Sequence, residues 1–468
     1  MAKAKTLYVC QECGNESHKW LGRCPGCDAW NTLLEEVRAP EPAATLVKVR
    51  KGYGAEGGSA PILMKDVETG AQRRLMSGIG ELDRVLGGGF VAGGVILLGG
   101  DPGIGKSTLS LQVCGLFCER KLKVLYVTGE ESAGQIRMRG ERLGVSVEDV
   151  LVLCETSLER VEAQVLKDRP DLLVLDSIQT LATDRLTSSP GSVAQLREVT
   201  SALTQLAKGL QIPTILVGHV TKEGSIAGPK VLEHMVDTVL YFEGESGMSH
   251  RILRVVKNRY GATNEIGVFE MRVDGLIPVP NPSAMFLAER PTGAAGSVVV
   301  PVLEGTRPLL VEIQALVSPT SYGPPRITSV GVDQNRVLLL LNIIEKRTGL
   351  QIAGQDVFVN VAGGARVSEP AADLGIAMAL VSSFRDRPVG DQTVFFGEVG
   401  LTGEVRAVSQ GAARLMEGYK LGFDRLIVPR GNLKAIEDYL GASKDTDFPR
   451  LRIEAVRTLA EALEAGLA

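Results

Sequence analysis

Aromatic residues are scarce, at 4% of the 468 residues. That scarcity excludes a long platform of stacked bases as the way this chain holds nucleic acid. There is also no excess of positive charge. The formal net charge is −4, so the chain cannot coat nucleic acid by bulk attraction, and any DNA contact must come from a local basic surface. No run approaches the roughly 18 consecutive apolar residues that a membrane span needs. The opening MAKAKTLYVCQEC carries no apolar signal core before its first cysteines. The expectation is a cytoplasmic chain without a membrane partner, long enough for two or three domains.

Cysteine is uncommon too, with 7 in all, but four of them fall within the first 27 residues. An odd total crowded at one end argues for a metal in a reducing compartment rather than a disulfide framework. Cys10-x-x-Cys13 and Cys24-x-x-Cys27 each have the spacing of a tight knuckle that aims two thiolates at one ion. Gly14 and Pro25-Gly26 supply the turns. Four thiolates close a tetrahedron, which suits structural zinc; iron in the same cage is the competing metal. His18 lies between the pairs, but four sulfurs already complete the set. A ribbon over residues 1–36 is too small for a core of its own, so the metal supplies much of its folding energy. Residues 37–66, rich in Pro, Gly and Ala, read as a flexible linker.

At residues 95–108 the chain reads VILLGGDPGIGKST, an apolar strand running through G-x-x-x-x-G-K-S into an apolar-periodic helix. Strand and helix together make this a phosphate-binding loop. Gly100, Asp101, Pro102, Gly103, Ile104, Gly105, Lys106, Ser107 and Thr108 are the candidate ATP contacts. Backbone N–H groups wrap the phosphates, Lys106 reaches the β- and γ-phosphates, and the Ser107 hydroxyl ligates Mg2+. Cys114 and Cys118, four apart on that helix, read as core residues.

Three further apolar strands deliver polar residues at their carboxyl ends. KVLYVTGEES delivers Glu130 and Glu131, and Glu130 is the better candidate to orient the attacking water. DLLVLDS ends in Asp176, a second Mg2+ contact through its water shell. TILVGHV leads to His219, placed to sense the γ-phosphate. Ser192 to Gln195 reads as a capping box opening the helix VAQLREVTSALTQLAKGL. The loops TDRLTSSPG and TKEGSIAGPK emerge at the same edge. Further on, RILRVVKNRYGATNEIGVFEM places Lys257 and Arg259 one residue apart at a strand end. On the residues alone this is as readily a solvated turn as a site.

Phosphate loop, acidic strand end, Asp-ended strand, polar sensor and two loops together resemble the RecA-type ATPase core, over residues 67–272. More narrowly, the four-cysteine ribbon, this core and the KNR-aromatic-Gly motif resemble the bacterial RadA (Sms) family of DNA repair proteins. Members are ring-forming, DnaB-like branch-migration helicases. The family usually has Phe in the motif where this chain has Tyr260. The resemblance implies that Lys257 and Arg259 reach the nucleotide of a neighbouring subunit, in a hexameric ring. A cation supplied in trans is worth about 10³–10⁵ in rate. It further implies that the loops near 183–192 and 220–230 touch single-stranded DNA, with Lys222 and Lys230 on its phosphates. Single-stranded and branched DNA and a RecA-type recombinase are the implied partners. An ATP-binding scaffold or autokinase without motor activity would share the phosphate loop.

A Pro-rich joint, residues 273–289, precedes a second composition. Residues 290–468 resemble the proteolytic domain of Lon proteases, whose serine nucleophile lies in G-P-S-A-G and is activated by a lysine. Here the segment reads E-P-A-A-D, with Ala371 at the serine position and Arg414 at the lysine position. Alanine has no nucleophilic atom and arginine stays protonated, so the dyad is lost and proteolysis with it. The family implies a scaffold lining a basic channel. Arg326, Lys346 and Arg347 are candidate DNA contacts, although basic residues at a helix carboxyl end also answer to the helix dipole. The expected fold class is α/β: a zinc ribbon, a RecA-like P-loop core with a mainly parallel sheet, and a C-terminal α+β Lon-protease-like domain.

Overall fold

The computed structural model describes residues 5–10, 15–38, 63, 74–219, 229–244, 250–263, 265–320, 323–442 and 451–467. Cys13, Lys222 and most of the 37–66 segment lie outside the described residues, as does the side chain of Lys230. The chain divides into two compact units, Met1–Pro280 and Asn281–Ala468.

The ribbon is three antiparallel strands in the order β2-β1-β3: β1 (Lys5–Cys10), β2 (Glu16–Ser17) and β3 (Leu33–Arg38). Two turns carry the cysteines. Cys10 N donates to Asn15 O at 3.0 Å, and Cys24 N donates to Ala29 O at 2.8 Å.

The ATPase core is built on a nine-stranded sheet, ordered β12-β11-β10-β9-β4-β8-β7-β5-β6. Its strands are β4 (Val95–Gly100), β5 (Val124–Thr128), β6 (Leu151–Cys154), β7 (Leu172–Asp176), β8 (Thr214–Val217) and β9 (Thr238–Glu243). These six run parallel. An antiparallel meander follows, β10 (His250–Asn258), β11 (Ile266–Arg272) and β12 (Gly275–Pro278). The central strands read as unbroken apolar runs because both of their faces are covered. Alternate residues go to opposite sides. Ile96, Leu98, Tyr126 and Val174 pack against α1 (Gly80–Leu86) and α2 (Lys106–Glu119). Val95, Leu97, Val127 and Leu175 pack on the other face, with apolar residues of α4 (Leu158–Asp168) and α5 (Val193–Leu210). The shorter α3 (Ala133–Arg142) and α6 (Pro229–Glu233) lie between strands in the chain.

Two expectations need correction here. Residues 275–278, expected within a linker, form β12 and pair with β11 through Leu276↔Met271. Pro282–Phe286 forms α7, whose Asn281 caps it by accepting from Ala284 N at 3.0 Å. Apolar Leu276 is buried against α2, which is why a Pro-bearing stretch is still a strand. The capping box at Ser192 is only half made. Ser192 Oγ accepts from Gln195 N, but the buried Gln195 carboxamide turns away. Its Nε2 donates to the carbonyls of Thr183, Leu186 and Ser188 at 3.1, 3.3 and 3.0 Å, and its Oε1 accepts from Thr183 N at 2.9 Å. A buried amide must satisfy its donors, and the loop offers more partners than the cap. The complete capping box stands at Ser132 and Gln135, opening α3.

The second unit carries a seven-stranded mixed sheet in the order β15-β16-β14-β13-β17-β20-β21. Its strands are β13 (Ser297–Glu304), β14 (Arg307–Ser318), β15 (Ile327–Val330), β16 (Asp356–Val361), β17 (Thr393–Phe395), β20 (Arg425–Pro429) and β21 (Arg452–Val456). A separate two-stranded ribbon joins β18 (Glu398–Val399) to β19 (Val405–Arg406). The helices are α8 (Gln334–Thr348), α9 (Asp373–Phe384), α10 (Gly411–Lys420), α11 (Arg430–Ala442) and α12 (Leu459–Gly466), with α9 buried through most of its length. Among the described residues no helix is long and apolar enough to cross a membrane.

Candidate active site and metal centre

The phosphate loop leaves the carboxyl end of β4, in the crevice where parallel-sheet proteins hold ligands. Gly105 has φ +120°, and a Cβ there would lie 2.8 Å from Met271 Cε. Only glycine takes that backbone so close to β11. Lys106 follows at the first position of α2, and its side chain folds back over the loop. Its Nζ donates to Gly100 O at 2.8 Å and Asp101 O at 2.9 Å. Burial pushes the Lys106 ammonium below the ordinary lysine value, against the opposing pull of Asp176, Asp101 and Glu130. Those three carboxylates are close enough to be felt. Ser107 and Thr108 are partly exposed beside it.

Strand register brings the remaining groups level. Thr128 pairs with Asp176, Asp176 pairs with Val217, and Leu98 pairs with Val217. Residues just beyond β5, β7 and β8 therefore share one edge with the phosphate loop. Although β5 follows the loop in sequence, β8 and β7 separate it from β4 in the sheet. Glu130 still reaches the shared edge. Its Oε1 accepts from Ser177 Oγ at 2.5 Å and lies 3.7 Å from His219 Nε2. Glu131 is ion-paired with Arg139 of α3 and turned toward that helix. The two neighbouring carboxylates thus have separate duties.

Asp176 is buried, and its Oδ2 accepts from the Tyr126 hydroxyl at 2.5 Å. Burial, and then the Asp176 charge, push the Tyr126 phenol well above its ordinary range, so it stays a donor. His219 is fastened through its backbone, its carbonyl accepting from Gln179 Nε2 at 3.2 Å. Among the described residues, buried His219 Nδ1 and Gln179 Oε1 have no hydrogen-bond partner. Sequence reasoning missed Tyr126, Ser177 and Gln179. Ser177 had a signal, a hydroxyl directly after the strand-ending aspartate; Tyr126 had only its place in an apolar strand.

Lys257 and Arg259 lie elsewhere. Antiparallel β10 ends where β9 and β4 begin, since Asn258 pairs with Thr238 and Thr238 with Ile96. Lys257 Nζ donates to the carbonyls of Glu233, His234 and Val236 at 2.7, 3.3 and 2.8 Å. Burial, followed by the Arg259 charge, pushes its ammonium down. Arg259 is half exposed and pairs with buried Asp237 at 3.2 Å; Asp237 also holds Lys208 at 3.1 Å and Val95 N at 3.1 Å. Tyr260 sits against Gly94, where a Cβ would be 3.3 Å from its Cε2. This is not a loose turn.

In the second unit, Ala371 is buried at the end of the EPA segment. Arg414 is fully buried and doubly hydrogen-bonded to Glu369, at 2.7 and 2.6 Å, with Pro301 O and Ser409 O taking further donors at 2.6 and 3.0 Å. Arginine here is a structural plug. Arg326 and Lys346 are exposed, while Arg347 donates to Leu401 O at 3.2 Å.

In the ribbon, the sulfurs of Cys10, Cys24 and Cys27 lie within 4.8 Å of one another. Cys10 Sγ and Cys27 Sγ are 3.7 Å apart. A tetrahedral zinc with Zn–S of about 2.3 Å needs an edge of roughly 3.8 Å, so the donor set fits. Gly26 N points at Cys24 Sγ at 3.3 Å, as a thiolate requires of its surroundings.

Three family models match parts of the chain. A rubredoxin metal binding domain matches residues 8–35, an AAA domain matches 64–225, and the ChlI subunit of Mg-chelatase matches 323–432. A DNA repair protein RadA of Bacillus subtilis is 50% identical over 467 residues, covering 100% of both chains. Those of Halalkalibacterium halodurans and Listeria monocytogenes are 52% and 49% identical, the first covering 92% of this chain and 94% of its own, the second 100% of both. The chain belongs to the RadA family of DNA repair proteins. Among solved structures, a KaiC-like protein of Pyrococcus horikoshii covers 44% of this chain and 99% of its own at 23% identity, with TM-score 0.38, too loose a likeness to build on.

As a RadA-family chain it is a P-loop ATP hydrolase with a structural zinc and Mg2+ bound alongside ATP. Ser107 and Asp176 are hard oxygen donors on the shared edge and are the residues that would hold the magnesium. The ion supplies neutralisation of phosphate charge. Glu130 is a carboxylate on the same edge, and Ser177 holds one of its oxygens.

Proposed function

We propose that this chain is a DNA-dependent ATPase that assembles into a ring and moves single-stranded DNA, promoting branch migration beside a RecA-type recombinase. The supporting observation is the placement of Lys257 and Arg259. Arg259 is level with the start of β4 and Lys257 with Leu97, and both side chains run to residues that precede β9, whereas the phosphate loop leaves the carboxyl end of β4. Strand rise of about 3.3 Å per residue puts roughly 10 Å between the level of Lys257 and the end of β4, and roughly 17 Å between that of Arg259 and the same end. Both side chains are turned away from their own phosphate loop, Lys257 to the carbonyls of Glu233 and Val236 and Arg259 to Asp237. Any nucleotide these cations serve belongs to another copy of the chain, and hydrolysis then depends on assembly.

Two loops connect the site to DNA in this reading. The 183–188 segment is braced by Gln195, and His219, which precedes the second loop in sequence, stands beside Glu130. A strand in the channel would shift His219 and, with it, the carboxylate that orients water. Lys222, Lys230, Arg326, Lys346 and Arg347 are the proposed phosphate contacts.

The test is ATP hydrolysis with and without single-stranded DNA across a salt titration, followed by extension of a recombinase-made joint. Strong stimulation that fades with salt supports the motor. Hydrolysis indifferent to DNA removes it and leaves an ATP-binding scaffold.

A further inference from the structure

The chain has 2 tryptophans in 468 residues, Trp20 and Trp30, both in the zinc ribbon. Neither is in a core: Trp20 is 55% and Trp30 70% exposed. The ribbon's small apolar centre is Cys10, Cys24, Leu33 and part of Tyr8. Two large rings left in water on a metal-held module are not explained by its folding.

Their arrangement is ordered. Arg23 and Trp30 face each other across a β-bridge, and Asn31 N donates to Gly22 O at 2.8 Å, so the two turns are pinned side by side. The rings converge over Gly22, where a Cβ would lie 3.7 Å from Trp20 Cη2 and 3.7 Å from Trp30 Cζ3. Glycine keeps the gap between them open. The Arg23 guanidinium stands 6.0 Å from the centre of the Trp30 ring, a cation–π distance. The segment His18–Arg23 adds exposed Lys19 and contains no acid. Asp28, on the following turn, is engaged by Arg23 at 3.3 Å.

We infer that Trp20, Trp30 and Arg23 form a short stacking platform for unpaired bases of a single-stranded nucleic acid, with Lys19 on the backbone. Exposed aromatic faces beside cations are how sequence-tolerant single-strand sites are built, because every base has a π-face. A protein-docking face would use the same rings, but Lys19 and Arg23 beside them favour a partner that brings both negative charge and flat faces to stack, as a single strand does. The site rests on the DNA reading above and adds to it a second place of contact, outside the ATPase sheet.

Because both tryptophans lie on this face, intrinsic tryptophan emission reports it alone. The zinc-loaded full chain is titrated with oligothymidylate, without ATP, while DNA-stimulated hydrolysis is measured in parallel. Saturable quenching is expected. Trp30→Ala and Arg23→Ala should shift its midpoint upward, roughly five- to hundred-fold for a lost ring, and Trp30→Phe should restore most of the binding. Zinc content equal to wild type in each variant shows that the ribbon is intact. Unchanged emission with normal DNA stimulation overturns the platform and leaves the motor standing. Unchanged emission with no stimulation overturns both. Emission that responds to a protein partner but not to oligothymidylate overturns the nucleic-acid assignment.

Discussion

Glu130 and His219 meet across the carboxyl edge of the core sheet, with the histidine Nε2 3.7 Å from the carboxylate Oε1. In the proposed reading Glu130 orients water and His219 precedes the loop assigned to the DNA channel. Ser177 holds the same carboxylate oxygen at 2.5 Å. The Glu130 carboxylate oxygen therefore has two neighbours on that edge, a serine hydroxyl and an imidazole.

Glu130→Gln keeps the Ser177 bond and removes the base. Turnover should fall by about 10²–10⁴, while ATP affinity, measured by equilibrium titration, stays near wild type. His219→Ala leaves Ser177 in place, so basal turnover should change within a few-fold and stimulation by single-stranded DNA should be lost. Equal loss of both rates would make His219 part of the basal machinery instead.

Lys257→Ala should lose turnover by about 10³–10⁵, as Lys106→Ala should by removing the phosphate contact. Mixing the two dead variants is the sharper measurement. A Lys257→Ala subunit keeps its phosphate loop, and a Lys106→Ala neighbour still offers Lys257. Activity regained on mixing places the cation in trans; none regained places both residues in one subunit.

Burial holds the Lys106 ammonium below its ordinary value of 10.5. The direction of pH dependence follows. Bound phosphates favour the charged form and raise the value again, so at high pH binding must take up a proton. ATP affinity should hold at neutral pH and fall as pH climbs through the lowered free-protein value. Calorimetry in buffers of different ionisation enthalpy should register the proton uptake. The same burial costs folding stability below that value, a cost that lifts as pH rises toward the unfolded one.

Arg414→Ala strands the Glu369 carboxylate beside an empty, buried space. Breaking such a pair typically costs about 3–5 kcal/mol, and the second unit should melt earlier in calorimetry. Lys106-dependent hydrolysis by the first unit is the control. Casein should remain uncut by the wild type, since Ala371 offers no nucleophile.

Cys24→Ser removes a buried thiolate from a site whose metal supplies most of the ribbon's folding energy. One zinc per chain is expected in the wild type by elemental analysis, and none in the variant. Retention of zinc in the variant would mean that Cys13 and the others suffice.

Much of this was legible beforehand, for unequal reasons. The cysteine pairs and the phosphate loop are local chemistry, because two-residue spacing sets a knuckle and a glycine-rich turn between strand and helix sets an anion cradle. Unbroken apolar strands announced a sheet covered on both faces. The Pro-rich joint misled, because Leu276 found a buried place that proline content does not reveal. Gln195 misled for a similar reason: a capping position is a local property, and the loop carbonyls that won its side chain are not.

The sequence by itself determined the ribbon's cysteine pairs, the phosphate loop and the acidic strand ends, since each depends on residues within a few positions of one another, and the loss of the protease dyad, since Ala371 and Arg414 lack the chemistry wherever the fold places them. Only the tertiary structure decided which of the two carboxylates faces the shared edge. Register across three strands sets Glu130 beside Ser177 and His219, and Arg139 draws Glu131 away. It also decided that Lys257 and Arg259 lie at the far end of the sheet from their own phosphate loop, because an antiparallel turn reverses the chain after β9. Strand direction is a long-range fact, set by pairing between segments that the sequence keeps far apart.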